Sequence, residues 1–352
     1  MQRSIEKISG DTEGVTYEFP VYRAKGSAAT APSAYLQAAL HAGELPGTVA
    51  IDALMPMLRK AEAEGRVRGD LTIVPWANPI GRAQYLFGDV QGRFHIGTRL
   101  NFNREFPLLE RPDPALIPAE SVLPTIDRRL KARLLKLALG HDIVLDLHCD
   151  DEGVPYYFYV PAALWPAMAD CAAAFGAEAV LTWENAADGA FEEAAIHPYL
   201  TPGGEAIAGR VVTTIELRGM ADVDRGYAEA DAAGLYRILV RRGVIEDSDI
   251  PGAPPFSGIA APLDNVEMVK APKSGAVLFD VRPGDRVAAG ARLATIVHAP
   301  GEPDGAIAVL APQAGYVLTR RSTRILRAGD DLIKLIGERP SAVVKRSGSL
   351  ES

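Results

Sequence analysis

Little in this 352-residue chain points towards a membrane, a nucleic acid or an oxidising compartment. Only two cysteines occur, Cys149 and Cys171, so no disulfide framework is expected and a reducing cytoplasm suits the composition. No apolar run reaches the roughly eighteen residues that a membrane-spanning helix needs. The first residues, Met1 to Lys7, are polar and lack the apolar centre of a signal peptide. Basic residues are outnumbered 37 to 45 by acidic ones, giving a net charge of −8 and a pI near 5.4. Such a surface disfavours nucleic acid and anionic lipid as partners. What the chain does have is 48% apolar residues, enough for a substantial core, at a length that suits one large domain and a smaller one.

Strand and helix patterns alternate through the first two-thirds. Tyr35–Leu40, Leu71–Trp76, Ile143–Leu147, Tyr156–Val160 and Val211–Leu217 read as strands. Thr48–Ala63, Ile126–Leu139, Ala162–Phe175 and Tyr227–Val240 read as helices, the second ending near Gly140. The alternation predicts an α/β fold with a parallel or mixed sheet flanked by helices. A stretch rich in Pro, Gly and Ala, 248–262, reads as a linker between an α/β domain at 1–247 and a third segment at 263–338, with a polar, Ser-rich flexible tail at 339–352.

The third segment repeats itself: Ala271-Pro272-Lys273-Ser274-Gly275-Ala276-Val277-Leu278 returns as Ala311-Pro312-Gln313-Ala314-Gly315-Tyr316-Val317-Leu318. Short strands between Gly turns predict two similar all-β halves, and the segment resembles the biotinyl/lipoyl-like barrel-sandwich domain. Carrier domains of that kind place a modified lysine between their halves. Here that connection, His298 to Gly305, contains no lysine, so a rigid cap beside an active site is the expectation.

The chemistry concentrates in His41, Glu44 and His148. The first two lie in His41-Ala42-Gly43-Glu44, and the third directly follows the apolar run Ile143 to Leu147. Ligands in open α/β sheets bind beyond the carboxyl ends of strands, where both histidines are expected. Two imidazoles and one carboxylate form a catalytic zinc set that leaves a position open for water. Either pair of residues alone has a bland reading as structural side chains; their occurrence at two strand ends favours a metal. Cys149 adjoins His148, but neighbours on a strand face opposite ways, so it reads as a small buried hydrophobe. His95, His141, His197 and His298 read as structural or exposed, with His197, in Ile196-His197-Pro198-Tyr199, expected on a pocket loop.

The order His41-x-x-Glu44, Asn78-Pro79, Asn101-Phe102-Asn103-Arg104-Glu105-Phe106-Pro107 and Asp146-Leu147-His148 resembles the succinylglutamate desuccinylase/aspartoacylase family, a branch of the zinc carboxypeptidase-like hydrolases. The resemblance covers roughly 30–335. It implies one Zn2+ per chain on His41, Glu44 and His148, with Asn103 and Arg104 binding a substrate carboxylate, a task suited to the planar guanidinium fork. It also implies a catalytic Glu at Glu216, which lies inside the apolar strand Thr213 to Leu217, where a carboxylate is costly unless paired or near a metal. Glu184, Glu192 and Glu193 are weaker candidates. An arginine that polarises the scissile carbonyl is expected among Arg99, Arg93 and Arg82, with Arg99 slightly favoured. Gln84 is a further pocket candidate. One departure stands out: Asn101 occupies a position where the family usually has Asp, and Asp146 is an alternative source of a carboxylate behind a ligand histidine.

The implied activity is a deacylase that cleaves an amide bond of a small N-acyl amino acid or related carboxylate-bearing amide. A carboxypeptidase or an N-acetyl-diamino-acid deacetylase is the nearest rival. A metal-free binding protein on the same fold is a rival of another class. Homo-oligomerisation is left open.

Overall fold

The computed structural model describes residues 1–185, 188–200 and 207–342. In chain order the first part runs β1 (Gln2–Ser9), β2 (Thr16–Ala24), β3 (Ala34–Ala38), α1 (Pro46–Ala63), β4 (Leu71–Val74), α2 (Pro79–Arg82), β5 (Tyr85–Leu86), β6 (Asp89–Val90), α3 (Ile126–Ala138), β7 (Ile143–Asp150), β8 (Glu152–Gly153), β9 (Tyr157–Pro161), α4 (Ala169–Phe175), β10 (Ala179–Trp183), α5 (Phe191–Leu200), β11 (Val211–Gly219), α6 (Arg225–Arg241) and β12 (Ile259–Pro262). Nine of these strands form one mixed sheet in the order β1-β2-β4-β3-β7-β11-β9-β10-β12. Its centre, β4-β3-β7-β11, is parallel. The α/β fold expected from the alternation is therefore present.

The central strands are buried on both faces. Every residue of β3 is buried, as is all of β7 except Asp150, so the apolar runs of the sequence reflect two covered sides. On one side α1 lies directly on β7, because Gly47 lets the backbone approach: a Cβ there would sit 2.7 Å from Leu147 Cβ. Leu36, Ala38, Leu145 and Leu147 share that face by strand alternation. Tyr35, Gln37, Asp146 and His148 share the other, where α5 packs through Phe191 against Tyr35. The sheet thus separates an apolar, structural face from a polar, chemical one.

Three elements depart from the sequence reading. The helix expected over Ala162–Phe175 is a short 3-10 turn at Ala162–Leu164 followed by α4, broken where Pro166 removes a backbone donor. Within the stretch read as linker, Ile259–Pro262 forms β12, paired in parallel with β10 at the sheet edge. His197, expected on a pocket loop, is inside α5, where its Nδ1 lies 2.8 Å from the Leu109 carbonyl.

The remaining strands are β13 (Val266–Lys270), β14 (Gly275–Phe279), β15 (Arg286–Val287), β16 (Arg292–Val297), β17 (Ala306–Leu310), β18 (Gly315–Arg320), β19 (Ile325–Leu326) and β20 (Asp331–Gly337). They form two sheets, β13-β20-β18-β15 and β17-β16-β14-β19, over a second apolar core that includes Leu293, Ile296, Val317 and Leu335. The repeated sequence segments supply β14 and β18. β8 pairs with β18, so the two parts of the chain share backbone hydrogen bonds beside the site described next. Of the expected tail, residues 343–352 lie outside the described residues.

Candidate metal centre and cavity

His41 follows the carboxyl end of β3, and the turn between them is strained: Ala39 sits at φ 55°. Asn78 secures this turn. Its Nδ2 donates to the Leu40 carbonyl (2.8 Å), while its Oδ1 accepts from Gly81 N and caps α2, with Pro79 as the first helical residue. His148 lies inside β7, two residues before its end, where the sequence had suggested a position just beyond the strand. Glu44 enters through the turn closed by its own N–H to the His41 carbonyl (2.9 Å).

These three side chains converge. One ligand atom from each lies within 4.8 Å of the others, and all three residues are buried. His41 Nδ1 is 2.9 Å from Glu44 Oε1, and His148 Nδ1 is 2.8 Å from Glu44 Oε2. Both Nε2 atoms face acceptors behind them. His41 Nε2 is 2.8 Å from Asn101 Oδ1, which must be the acceptor because it also receives the Asn103 N–H. His148 Nε2 is 2.9 Å from Asp146 Oδ2. With Nε2 donating, each neutral imidazole turns the Nδ1 lone pair towards a carboxylate oxygen. At such distances each contact needs either a proton on Nδ1 or a cation shared by the two lone pairs, and one divalent ion serves both contacts at once. The donor set therefore fits a metal. Asn101, for all its difference from Asp, presents an acceptor oxygen to His41 Nε2.

Asp146 is itself held. Tyr35 OH donates to Gln37 Oε1 (2.7 Å), and Gln37 Nε2 donates to Asp146 Oδ1 (2.9 Å), all buried. The electrostatics follow. Burial disfavours charge on His148, but Asp146 and Glu44 outweigh it, and its pKa is raised well above the usual imidazole range. His41 is lowered, by burial against the pull of Glu44. Burial also opposes ionisation of Glu44, yet the two imidazoles hold it well below the usual carboxylate range.

Glu216 stands beside His148, its register partner across the β7–β11 pairing. Its Oε2 is buried without a hydrogen-bond partner among the described residues. Burial, opposed by His148 and reinforced by Asp150 and Glu44, pushes its pKa up to about 8. The strand end beyond it is pinned by Arg218, at φ 54°, whose guanidinium makes a buried bidentate pair with Asp231 of α6 (2.8 and 2.6 Å).

The loop after α2 brings the arginines. Gly92 packs on the His41–Glu44 turn so closely that a Cβ would lie 2.4 Å from Gly43 N, and its carbonyl accepts from Ala42 N. Arg93 consequently reaches the ligand set, 3.3 Å from His41 Nδ1 and 3.4 Å from Glu44 Oε1. Arg99, favoured from sequence, is an exposed residue of the cavity wall at φ 61°. Arg82 stacks over Trp76, 4.2 Å from the ring centroid. Gln84 does not line the cavity; its side chain braces the loop through the Phe94 carbonyl and Ile96 N. Asn103 Oδ1 accepts from Phe191 N at the start of α5, which turns its amide nitrogen to 3.5 Å from His148 Nε2. Arg104 donates to the Asn103 carbonyl and lies 3.7 Å from Asp188.

His41, Glu44, Arg93, Arg99, Asn103, Arg104, His148 and Glu216 surround one cavity of about 900 Å³. Its far wall comes from the C-terminal strands. Lys334 of β20 forms an ion pair with Asp150, which also accepts from the Tyr157 hydroxyl and the Asp151 N–H, each at 2.8 Å. Sequence reasoning missed Tyr35, Gln37 and Lys334, and gave little weight to Glu192, which lines the cavity from the first turn of α5. A Tyr-x-Gln alternation within an otherwise apolar strand was the available signal for the first two.

Residues 30–241 match the family model for the succinylglutamate desuccinylase/aspartoacylase catalytic domain. The chain belongs to the succinylglutamate desuccinylase/aspartoacylase family. Members of this family are hydrolases acting on amide bonds. The chain is similar to a family protein from Shewanella amazonensis SB2B (26% identity, TM-score 0.83, 96% of this chain and 99% of that one). A second, from Shewanella frigidimarina NCIMB 400, has 25% identity and a TM-score of 0.81, covering 97% and 99%. The ectoine utilization protein EutE (DoeB) from Ruegeria pomeroyi, in a product-bound structure, shares the fold at 20% identity and a TM-score of 0.69, covering 94% of each. No curated protein matches the chain significantly. Among the described residues, no helix is long and apolar enough to cross a membrane.

Proposed function

We propose that this family member is a zinc-dependent deacylase that hydrolyses the amide bond of small N-acyl amino acids. The observation that carries the reading is the buried His41–Glu44–His148 group with Glu216 beside it, whose Oε2 is buried and has no hydrogen-bond partner among the described residues. Zinc suits two imidazoles and one carboxylate, and when bound there it would lower the pKa of a coordinated water towards about 7 and polarise a carbonyl.

The chain's own residues do the rest. Glu216 Oε2 accepts the proton of the attacking water and returns it to the leaving nitrogen. Its elevated pKa suits a group that both takes and gives a proton near neutrality. The Arg93 guanidinium, adjacent to the ligand set, supplies positive charge where the carbonyl oxygen becomes negative; its 3.4 Å approach to Glu44 supports it over Arg99, the residue favoured from sequence, for this role. Asn103 and Arg104 grip the carboxylate of the amino-acid half and fix its orientation. Lys334 and the β domain close the cavity, and the two-sheet arrangement supports the barrel-sandwich reading of 263–338 as a rigid cap.

The test is hydrolysis of a panel of N-acyl amino acids and dipeptides by protein stripped with chelator and reloaded with Zn2+. Metal-restored release of free amino acid from the N-acyl compounds is expected. Faster cleavage of the dipeptides would replace the deacylase reading with a carboxypeptidase one.

A further inference from the structure

The stretch 93–102 presents two different groups to one ligand. Arg93 at its start lies 3.3 Å from His41 Nδ1, and Asn101 near its end puts Oδ1 2.8 Å from His41 Nε2. The backbone doubles back to bring them together. Phe102 N donates to the Arg93 carbonyl (3.0 Å), His95 N to the Leu100 carbonyl (2.9 Å) and Arg99 N to the His95 carbonyl (2.7 Å). Phe94 and Asn101 form an isolated antiparallel bridge. So short a ribbon is marginal in water by itself. Its turn also holds Arg99 at φ 61°, a conformation that persists only where the surroundings over-determine it. The packing of Gly92 on the His41–Glu44 turn seats the start of the ribbon. The rest of it needs an anchor of its own.

That anchor lies on α3. Asp127 and Lys131 sit one helical turn apart, and their side chains are 0% and 1% exposed. Asp127 Oδ2 is 3.7 Å from Lys131 Nζ, and Asp127 Oδ1 is 3.6 Å from His95 Nδ1. Neither oxygen has a hydrogen-bond partner among the described residues. Lys131 and His95 are therefore the compensation for a carboxylate wholly removed from water, and stranding such a charge is costly. His95 is in turn tied to the ribbon. Its ring meets the buried Phe102 ring edge-on, with centroids 5.9 Å apart, and its Nδ1 is 3.0 Å from Thr98 Oγ1 across the turn. The imidazole is a wedge between the helix and the ribbon that carries Arg93 and Asn101.

Resting on the deacylase reading for the role of Arg93, we propose that Asp127 is a positioning residue of the metal centre: acting through His95, it holds the 93–102 ribbon in the pose from which Arg93 and Asn101 meet His41. The two ends of the ribbon report separately. Misplacing Asn101 is felt in metal affinity, because Asn101 orients a ligand. Misplacing Arg93 is felt in turnover, because Arg93 serves the transition state.

The test is a double-mutant cycle of Asp127→Asn and His95→Gln, read first as Zn2+ affinity by competition with a chromogenic chelator. Each single variant is expected to bind Zn2+ about 3- to 10-fold more weakly than the parent, less than the loss of a direct partner of a ligand. The double variant should bind no more weakly than the weaker single one, because both substitutions break the same chain of contacts. In zinc-saturated protein, kcat for an N-acyl amino acid should fall about 10- to 100-fold with KM within a few-fold, as when a group that serves the transition state moves by about 1 Å. If Asp127→Asn strands Lys131 and fails to fold, His95→Gln alone, read in the same two ways, decides. Parent-like Zn2+ affinity in the folded variants, losses that add in the double variant, or a loss confined to KM would overturn the anchor. A parent that binds Zn2+ with this coupling but hydrolyses no N-acyl amino acid would keep the anchor and remove the deacylase reading.

Discussion

At the residue scale the site is a set of donors aimed outward and acceptors aimed inward. The Nε2 atoms of His41 and His148 are spoken for by Asn101 and Asp146, which leaves both Nδ1 atoms for a metal. Asn101→Leu removes the partner of His41 and should weaken metal affinity about 10- to 100-fold, measured by competition with a chromogenic chelator. Unchanged affinity would mean that His41 needs no such orientation. Proton linkage gives a second expectation. Without metal, His148 is held above its usual range and Glu216 at about 8, so both carry protons at pH 7. A ligand must surrender its proton, so ion uptake at pH 7 should release protons and affinity should fall as pH drops. Calorimetry in buffers of different ionisation enthalpy reads this directly; proton uptake on binding would contradict it. Glu216→Gln should retain the ion while lowering kcat by about 10²- to 10⁴-fold, the usual worth of a general base.

At the scale of elements, the legible part of the fold was the buried part. Apolar runs marked β3, β7 and β11, and His41, Glu44, His148 and Glu216 lie in or just after those runs, which is why these candidates could be singled out without coordinates. Residues whose roles depend on where a loop turns were less legible. Arg93 and Arg99 are six positions apart on one loop, and only the packing of Gly92 on the His41 turn decides which reaches the ligands. Glu192 and Glu193 are adjacent acids in one helical turn, and sequence cannot say that one caps backbone while its neighbour faces the cavity. The strand end that aims Glu216 depends on the buried Arg218–Asp231 pair. Asp231→Leu strands that guanidinium and should cost about 3–5 kcal/mol in urea denaturation. A loss near zero would show that the pair is not what fixes the end of β11.

At the scale of the whole molecule, the sheet presents an apolar face to α1 and a polar face to α5, and the C-terminal strands complete the cavity along its open edge. Arg320 and Arg324 meet Glu152 at 2.6 Å, β18 extends through β8, and Lys334 meets Asp150. Sequence revealed the repeat that builds these strands but not their docking, because the contacts join residues more than 160 positions apart. Lys334→Met leaves Asp150 with the Tyr157 hydroxyl and the Asp151 N–H and should lower stability by about 2–3 kcal/mol, a partly solvated version of breaking a buried pair, together with a fall in kcat/KM. Stability loss without any kinetic change would confine Lys334 to a structural role.

Metal content remains the most direct measurement. Elemental analysis of the purified protein, beside His41→Ala and His148→Ala, should find one divalent ion per chain in the parent and close to none in either variant, with amide hydrolysis lost on chelation and restored by Zn2+. A folded parent protein that binds no ion after incubation with Zn2+, or variants that bind it as well as the parent, would contradict a metal centre built from His41, Glu44 and His148.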